Sequence, residues 1–249
     1  MATNVLAVIP ARMGSTRFPN KVICPFNDRP LLFYVHREIA RVSAIDRLVI
    51  ATDSKEIAKA SENFGAEVVM TSKKHRTGSD RVAEVARKFG GDIILNIQAD
   101  SFGLTSAALT KLVQAMRTDR RIQFATLARP IENDNELFDP NKVKVVTDST
   151  GDALWFSRFP IPFLQNSVEK DRFSQFKFLL HIGVYGFRRQ SLSKFASWKR
   201  TVLEKAESLE QLRILGNGAK IRVIKTKART VSIDSPDDLS KLRRIYKVG

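Results

Sequence analysis

Short apolar runs alternate with amphipathic stretches along the first half of the chain. Val5–Ile9, Arg47–Thr52, Glu67–Met70 and Ile93–Gln98 are brief segments rich in Val, Ile and Leu. Runs of this length predict strands buried on both faces. Between them, Leu31, Val35 and Ile39 recur at helical spacing, with Pro30 near the start of the segment. Ile57, Ala60 and Phe64 mark a second helix, Val82, Val85 and Phe89 a third, and Leu109, Leu112, Val113 and Met116 a fourth. Strands alternating with single helices predict an α/β fold with a mostly parallel sheet and helices on both faces. Ligands on such sheets bind beyond the carboxyl ends of the strands, so the informative residues are those that follow each strand.

Beyond Arg129 the pattern changes. Lys142–Thr147, Ala153–Ser157 and His181–Phe187 read as strands without regular helices between them. This predicts a smaller, more antiparallel subdomain inserted at approximately 130–190 in a single domain spanning 1–249. Leu209, Leu212 and Leu215 suggest another helix. A last one is expected to begin at Ser235, with Ser235 as its cap, Pro236 at the first helical position, and Asp237 and Asp238 favourable to the helix dipole.

Composition narrows the class. One cysteine, Cys24, excludes an intramolecular disulfide framework and accords with a reducing compartment. Val5–Ile9 is too short for a signal-peptide core or a membrane span, and Arg12 follows closely, so a cytoplasmic chain without membrane insertion is expected. The net charge of +16 raises nucleic-acid or anionic-surface binding as a candidate, and anionic substrates would explain only a few of those charges. Part of the excess lies between Lys220 and Gly249, which hold nine Lys or Arg and three Asp. There Lys220-Ile221-Arg222-Val223 alternates as a half-exposed strand does, and the excess reads as a solvated basic face. No zinc-finger spacing or aromatic-interleaved basic segment is found, so no nucleic-acid partner is expected. His36, His75 and His181 lack zinc-ligand spacing, and Trp155 and Trp198 read as packing residues.

The densest chemistry follows the first strand. Pro10-Ala11-Arg12-Met13-Gly14-Ser15-Thr16-Arg17-Phe18-Pro19-Asn20-Lys21 places three cations, a glycine and two hydroxyls at a strand's carboxyl end. Backbone N–H groups of such a loop can meet phosphate oxygens, while Arg12, Arg17 and Lys21 neutralise their charge. The Walker A spacing is absent.

This loop resembles the P-A-R-x-x-S-x-R-x-P-x-K segment of the nucleotidyltransferases that make CMP-activated acidic sugars. The resemblance continues in order through Ala51-Thr52-Asp53, Met70-Thr71, His75, Thr77-Gly78-Ser79-Asp80-Arg81 and Asn96-Ile97-Gln98-Ala99-Asp100. It runs on through Val143-Lys144-Val145-Val146, Phe156-Ser157-Arg158, His181-Ile182-Gly183-Val184-Tyr185, Leu209-Glu210-Gln211-Leu212-Arg213 and Ile233-Asp234-Ser235-Pro236-Asp237-Asp238-Leu239. By these segments the chain is similar to the 3-deoxy-manno-octulosonate (KDO) cytidylyltransferase family over nearly its whole length.

The resemblance implies a nucleotidyltransferase fold, a homodimer joined through the middle subdomain, and a role in lipopolysaccharide biosynthesis. The implied reaction is CTP plus KDO giving CMP-KDO and pyrophosphate, with Mg²⁺ as cofactor. It assigns CTP to Ala11, Arg12, Ser15, Arg17, Lys21, Thr71, Gly78, Ser79 and Arg81, and the sugar to Gln98, Arg158, His181, Tyr185, Glu210 and Gln211. Arg12, Arg17, Lys21 and Asp100 are the expected catalytic residues. Asp100, which follows an apolar strand, and Asp234 are the expected metal ligands.

Some positions depart from the family pattern. Ala99, Ser101 and Phe102 replace Gly, Glu and Pro of Q-G-D-E-P, and Asn20 replaces a glycine. Ser79-Asp80 stands for Thr-Glu, and Gly216-Asn217 for an aromatic pair. They leave the identity of the sugar open, an 8-amino form of KDO included. They also open a second reading, a homologue of reduced activity that binds nucleotide or polyanion.

Overall fold

All seven residues of the first strand, Val5–Ala11 (β1), are buried, which requires cover on both faces of the sheet. The structure is a computed structural model and describes residues 3–14, 18–165, 171–231, 233 and 238–246. The remaining strands are β2 (Pro25–Phe26), β3 (Arg29–Pro30), β4 (Arg47–Thr52), β5 (Val68–Met70), β6 (Ile93–Ile97), β7 (Phe124–Pro130), β8 (Lys144–Thr147), β9 (Ala153–Ser157), β10 (Leu179–Arg188) and β11 (Arg222–Lys225). The helices are α1 (Leu31–Ala40), α2 (Lys55–Glu62), α3 (Gly78–Phe89), α4 (Ser106–Thr118), α5 (Asp134–Leu137), α6 (Arg172–Gln175), α7 (Arg189–Ser197), α8 (Val202–Glu207), α9 (Leu212–Gly216) and α10 (Leu239–Ile245).

The main sheet has the order β11-β7-β10-β6-β1-β4-β5. Its N-terminal half, β6-β1-β4-β5, is parallel throughout, as the alternation of strands and helices predicted. Residues of β1 alternate between two cores. Val5, Ala7 and Ile9 join Leu31, Val35, Leu109 and Leu112 of α1 and α4. Leu6 and Val8 join Val82 and Val85 of α3, Leu192 of α7 and Leu212 of α9 on the other face. The period of two along a strand divides these layers.

β10 runs antiparallel between β6 and β7, with a register shift between Ile182 and Tyr185. Its first half pairs with β7 and β8, its second half with β7 and β6. The sheet therefore forks where β6 ends, and β8 and β9 form an antiparallel branch there. Val145, Ala153 and Phe156 of the branch join the core on the α3 and α7 face, while Ile131, Leu137, Phe178 and Leu180 form a small core of their own beside the start of β10. The 130–190 stretch is thus antiparallel, but its last strand is shared with the main sheet.

Local chemistry explains the elements near the fork. Thr77 caps α3 with its hydroxyl on the Asp80 N–H, and the Asp80 carboxylate accepts the Thr77 N–H. This capping box fixes a helix start directly after the loop at 71–76. β7 was not among the strands read from the pattern, although its apolar run Phe124–Ala128, broken by Thr126, carries the signal. The expected helix start at Ser235 lies outside the described residues. Among the described residues no helix is long and apolar enough to cross a membrane.

Candidate active site

Three segments converge at the carboxyl ends of β1 and β6. Ala11, at the end of β1, is 2% exposed, and the Arg12 side chain that follows is exposed. Asn20 adopts a left-handed backbone with φ 58, a conformation asparagine tolerates better than most residues. The turn sends Lys21 inward. Its ammonium donates to Asp100 Oδ2 at 2.6 Å and to the Ile233 carbonyl at 2.8 Å. Ser15, Arg17 and Asp234, expected at this site, lie outside the described residues.

A cavity of about 370 Å³ opens between the phosphate loop and the start of α3. Ala11, Arg12, Gly78, Arg81, Gln98 and Glu210 line it. A Cβ on Gly78 would come within 3.1 Å of the Pro10 ring, so glycine lets α3 and the loop approach this closely. The α3 start adds N–H groups and the positive end of a helix dipole, both suited to an anion. Thr71 and Arg81, both assigned to CTP, bond to protein atoms, and of the two only Arg81 lines the cavity. Thr71 is buried and donates to the Thr52 carbonyl at 3.0 Å. Arg81 is buried against Asp53 at 3.0 Å and donates to the Thr71 hydroxyl.

Ser79 is buried and belongs to a polar chain. Gln98 Nε2 donates to Asn96 Oδ1 at 3.1 Å, and Asn96 Nδ2 donates to Ser79 Oγ at 3.0 Å. Ser79 Oγ donates to Glu210 Oε2 at 2.8 Å. Burial pushes the Glu210 carboxyl above its ordinary pKa. Asn96 is the hub of this chain and was named from sequence only as part of a motif, with no role assigned. Its signal is a lone amide at a fully buried position of an apolar strand. His75, which also lines the cavity and pairs with Glu84, was seen only as part of a motif.

A second cavity of about 710 Å³ lies at the fork of the sheet. Gln98, Asp100, His181, Tyr185 and Gln211 line it, and Gln98 borders both cavities. Thr126 Oγ1 donates to the Val184 carbonyl at 2.8 Å, so His181 Nε2, 2.9 Å from the same hydroxyl, is its donor. Burial pushes His181 down to about 3, which keeps the imidazole neutral with its proton on Nε2. Tyr185 OH donates to Gln211 Oε1 at 3.0 Å. Gln211 Nε2 is buried without a hydrogen-bond partner. Lys142 and Arg229 also line this cavity and were not expected there. Nothing in their local pattern marks them out.

Arg158, assigned to the sugar, is spent elsewhere. Its guanidinium donates to the carbonyls of Glu207 at 2.9 Å, Pro140 at 2.9 Å and Ser208 at 3.4 Å. The altered segment after Asp100 is filled rather than broken. Phe102 is fully buried, and its carbonyl accepts the Val231 N–H at 2.9 Å.

Cytidylyltransferase is the family whose model matches residues 6–221. The chain belongs to that family. It is 40% identical to 3-deoxy-manno-octulosonate cytidylyltransferase of Geobacter sulfurreducens, over 96% of this chain and 98% of the relative. It is 39% identical to the enzyme of the same name from Solibacter usitatus, over 100% and 97%. Among solved structures it matches the CTP complex of CMP:2-keto-3-deoxy-manno-octonic acid synthetase with TM-score 0.91 and 34% identity, covering 98% of this chain and 99% of that one. A thymidylyltransferase structure from Bacillus anthracis, at 12% identity and TM-score 0.65, shares the fold alone.

A cytidylyltransferase acts on a triphosphate, and a carboxylate such as Asp100 is the type of group that binds a divalent cation. Its side chain is 37% exposed at the rim of the second cavity. Among the described residues no three His, Cys, Asp or Glu side chains form a ready cage. That donor set fits Mg²⁺, which takes one or two carboxylates and completes its shell with phosphate oxygens and water.

Proposed function

We propose that the chain transfers the cytidylyl group of CTP to KDO or a closely related acidic keto-sugar, releasing pyrophosphate. The observation that carries this reading is the pair of cavities meeting at Gln98, one beside the phosphate loop and the α3 start, the other at the sheet fork. In-line transfer needs the two substrates held end to end at such a junction. The sugar's anomeric hydroxyl attacks the α-phosphorus and the bond to pyrophosphate breaks.

Arg12, with Arg17 and Lys21 by resemblance, neutralises the triphosphate. The α3 start and Gly78 receive the nucleotide through backbone N–H groups. Neutral His181, Tyr185 and Gln211 orient the sugar, with the unpaired Gln211 amide as a donor waiting for an oxygen. Asp100, with Asp234 by resemblance, would hold Mg²⁺, which stabilises charge on the leaving pyrophosphate.

The family resemblance supports a cytoplasmic homodimer serving lipopolysaccharide biosynthesis. Phe159 and Phe163, 76% and 89% exposed, with Leu154 at 61%, give the branch an apolar surface suited to a second copy. The burial of Phe102 shows that the altered segment after Asp100 is packed into the core.

The test is pyrophosphate release with CTP, Mg²⁺ and a panel of acidic keto-sugars. CTP supports turnover with KDO or its 8-amino form, and purine triphosphates do not. Equal rates with ATP and CTP overturn the nucleotide assignment, and no turnover with any sugar overturns the enzyme reading.

A further inference from the structure

Lys144 on β8 has no exposed surface. Its ammonium donates to three backbone carbonyls, Asp139 at 3.0 Å, Lys142 at 2.6 Å and Arg158 at 2.5 Å. Those acceptors use all three of its N–H groups. Burying an ammonium is costly, and a methionine would fill similar space without that cost. The charge is retained where it gathers carbonyl oxygens. Burial lowers the Lys144 pKa below that of an ordinary lysine, with Asp139 and Glu207 opposing that shift.

Arg158 continues the same construction. While its own carbonyl accepts from Lys144, its guanidinium reaches the carbonyls of Pro140, Glu207 and Ser208. The Glu207 carboxylate returns the contact, accepting the Arg158 N–H at 3.0 Å and the Ser157 hydroxyl at 2.7 Å. Two adjoining cations therefore bind six carbonyls drawn from the 139–142 turn, the end of β9 and the end of α8.

Those segments wall both cavities. Asp139, Asn141 and Lys142 border the space at the sheet fork. Ser208, left-handed at φ 52, borders the space beside the phosphate loop and leads directly to Leu209 and Gln211. We propose that Lys144 and Arg158 are positioning residues, a clasp that ties the 139–142 turn to the α8 end and sets the width of the sugar-side cavity. For its kinetic readout the proposal rests on the cytidylyltransferase reading above.

The experiment compares wild type, Lys144→Met and Arg158→Met by hydrogen exchange without substrate, and by steady-state kinetics with CTP and KDO. In each variant, peptides covering 139–142 and 207–210 are expected to exchange about 10-fold faster or more, while β1 and β6 keep wild-type protection. The KM for the sugar rises about 10-fold or more while the KM for CTP stays within about threefold. The double variant is expected to be little worse than either single one, because both cations act through the Arg158 peptide. Lys144→Gln, which keeps two N–H donors, carries the test where Lys144→Met does not fold. Faster exchange at 139–142 alone, or additive effects of the two variants, overturns the clasp. Exchange needs no substrate, so a wild type that ignores KDO sinks the activity reading and leaves the clasp to be judged on its own.

Discussion

Lys21 Nζ lies 2.6 Å from Asp100 Oδ2, with the two side chains 11% and 37% exposed. The same ammonium donates to the Ile233 carbonyl, so one lysine joins the phosphate loop, the end of β6 and the C-terminal segment. A partly exposed pair of this kind contributes about 0–1 kcal/mol to stability. Its value lies in where it holds Asp100.

Asp100→Asn is therefore expected to harm chemistry more than folding. Turnover at saturating CTP falls by about 10²-fold or more, on the scale of a few kcal/mol of lost transition-state stabilisation. The Mg²⁺ requirement rises, and the melting temperature drops by no more than about 4 °C. Magnesium titrations of pyrophosphate release, with melting curves alongside, check all three. Wild-type turnover and metal dependence in the variant would remove Asp100 from the metal site.

Arg12 is exposed and borders the nucleotide-side cavity. Arg12→Ala should leave the circular dichroism spectrum and melting temperature unchanged and weaken CTP use by about 1.5–3 kcal/mol in kcat/KM, the scale for a hydrogen bond to a charged group. Arg17→Ala is expected to do the same. Unaltered kinetics in either folded variant would count against phosphate binding by this loop.

His181 makes stability depend on pH. Its folded pKa is about 3 against an ordinary 6.5, so in that window the unfolded chain binds a proton that the folded chain does not. Stability falls as pH drops through the window, by up to about 1.4 kcal/mol per pH unit, and is flat in this respect above it. His181→Gln should remove that slope. Urea unfolding from about pH 5 to about pH 7 measures it as the difference between wild type and variant. An identical slope in the variant would place the imidazole in water, not in the buried bond to Thr126.

Phe102 and Gly103 seal the altered segment. Phe102→Ala empties a fully buried site and is expected to cost about 3–5 kcal/mol. Gly103 has φ +74, and a Cβ there would lie 2.7 Å from the Arg229 carbonyl, so Gly103→Ala strains both backbones. Urea midpoints report both effects. A Phe102→Ala variant as stable as wild type would mean that this segment packs loosely.

Much of the fold was legible in the sequence because it is local. Leu31, Val35 and Ile39 face one core at helical spacing, and β1 divides its side chains between two cores by its period of two. Val82, Val85 and Phe89 marked α3 by helical spacing as well, while its capping box at Thr77 and Asp80 emerged only with the structure. Asp100 could be placed at the end of β6 from the sequence because a strand's carboxyl end is a position that topology assigns before any packing is known. β7 carried a signal that one threonine interrupted.

What the tertiary structure decided is which partner each polar side chain meets. The antiparallel run of β10 between β6 and β7 brings His181 and Tyr185 to Gln98, across 83 residues of chain from Gln98 to His181. Arg158 and His181 stood equally as sugar contacts in sequence. The fold turns the arginine onto three carbonyls and leaves the imidazole at the cavity. Thr71, Ser79 and Arg81, assigned to CTP by resemblance, likewise bond to protein atoms. Residue type fixes how many hydrogen bonds a group can make. Which atoms accept them depends on segments far apart in the chain, because a buried donor must take the partner that packing brings to it.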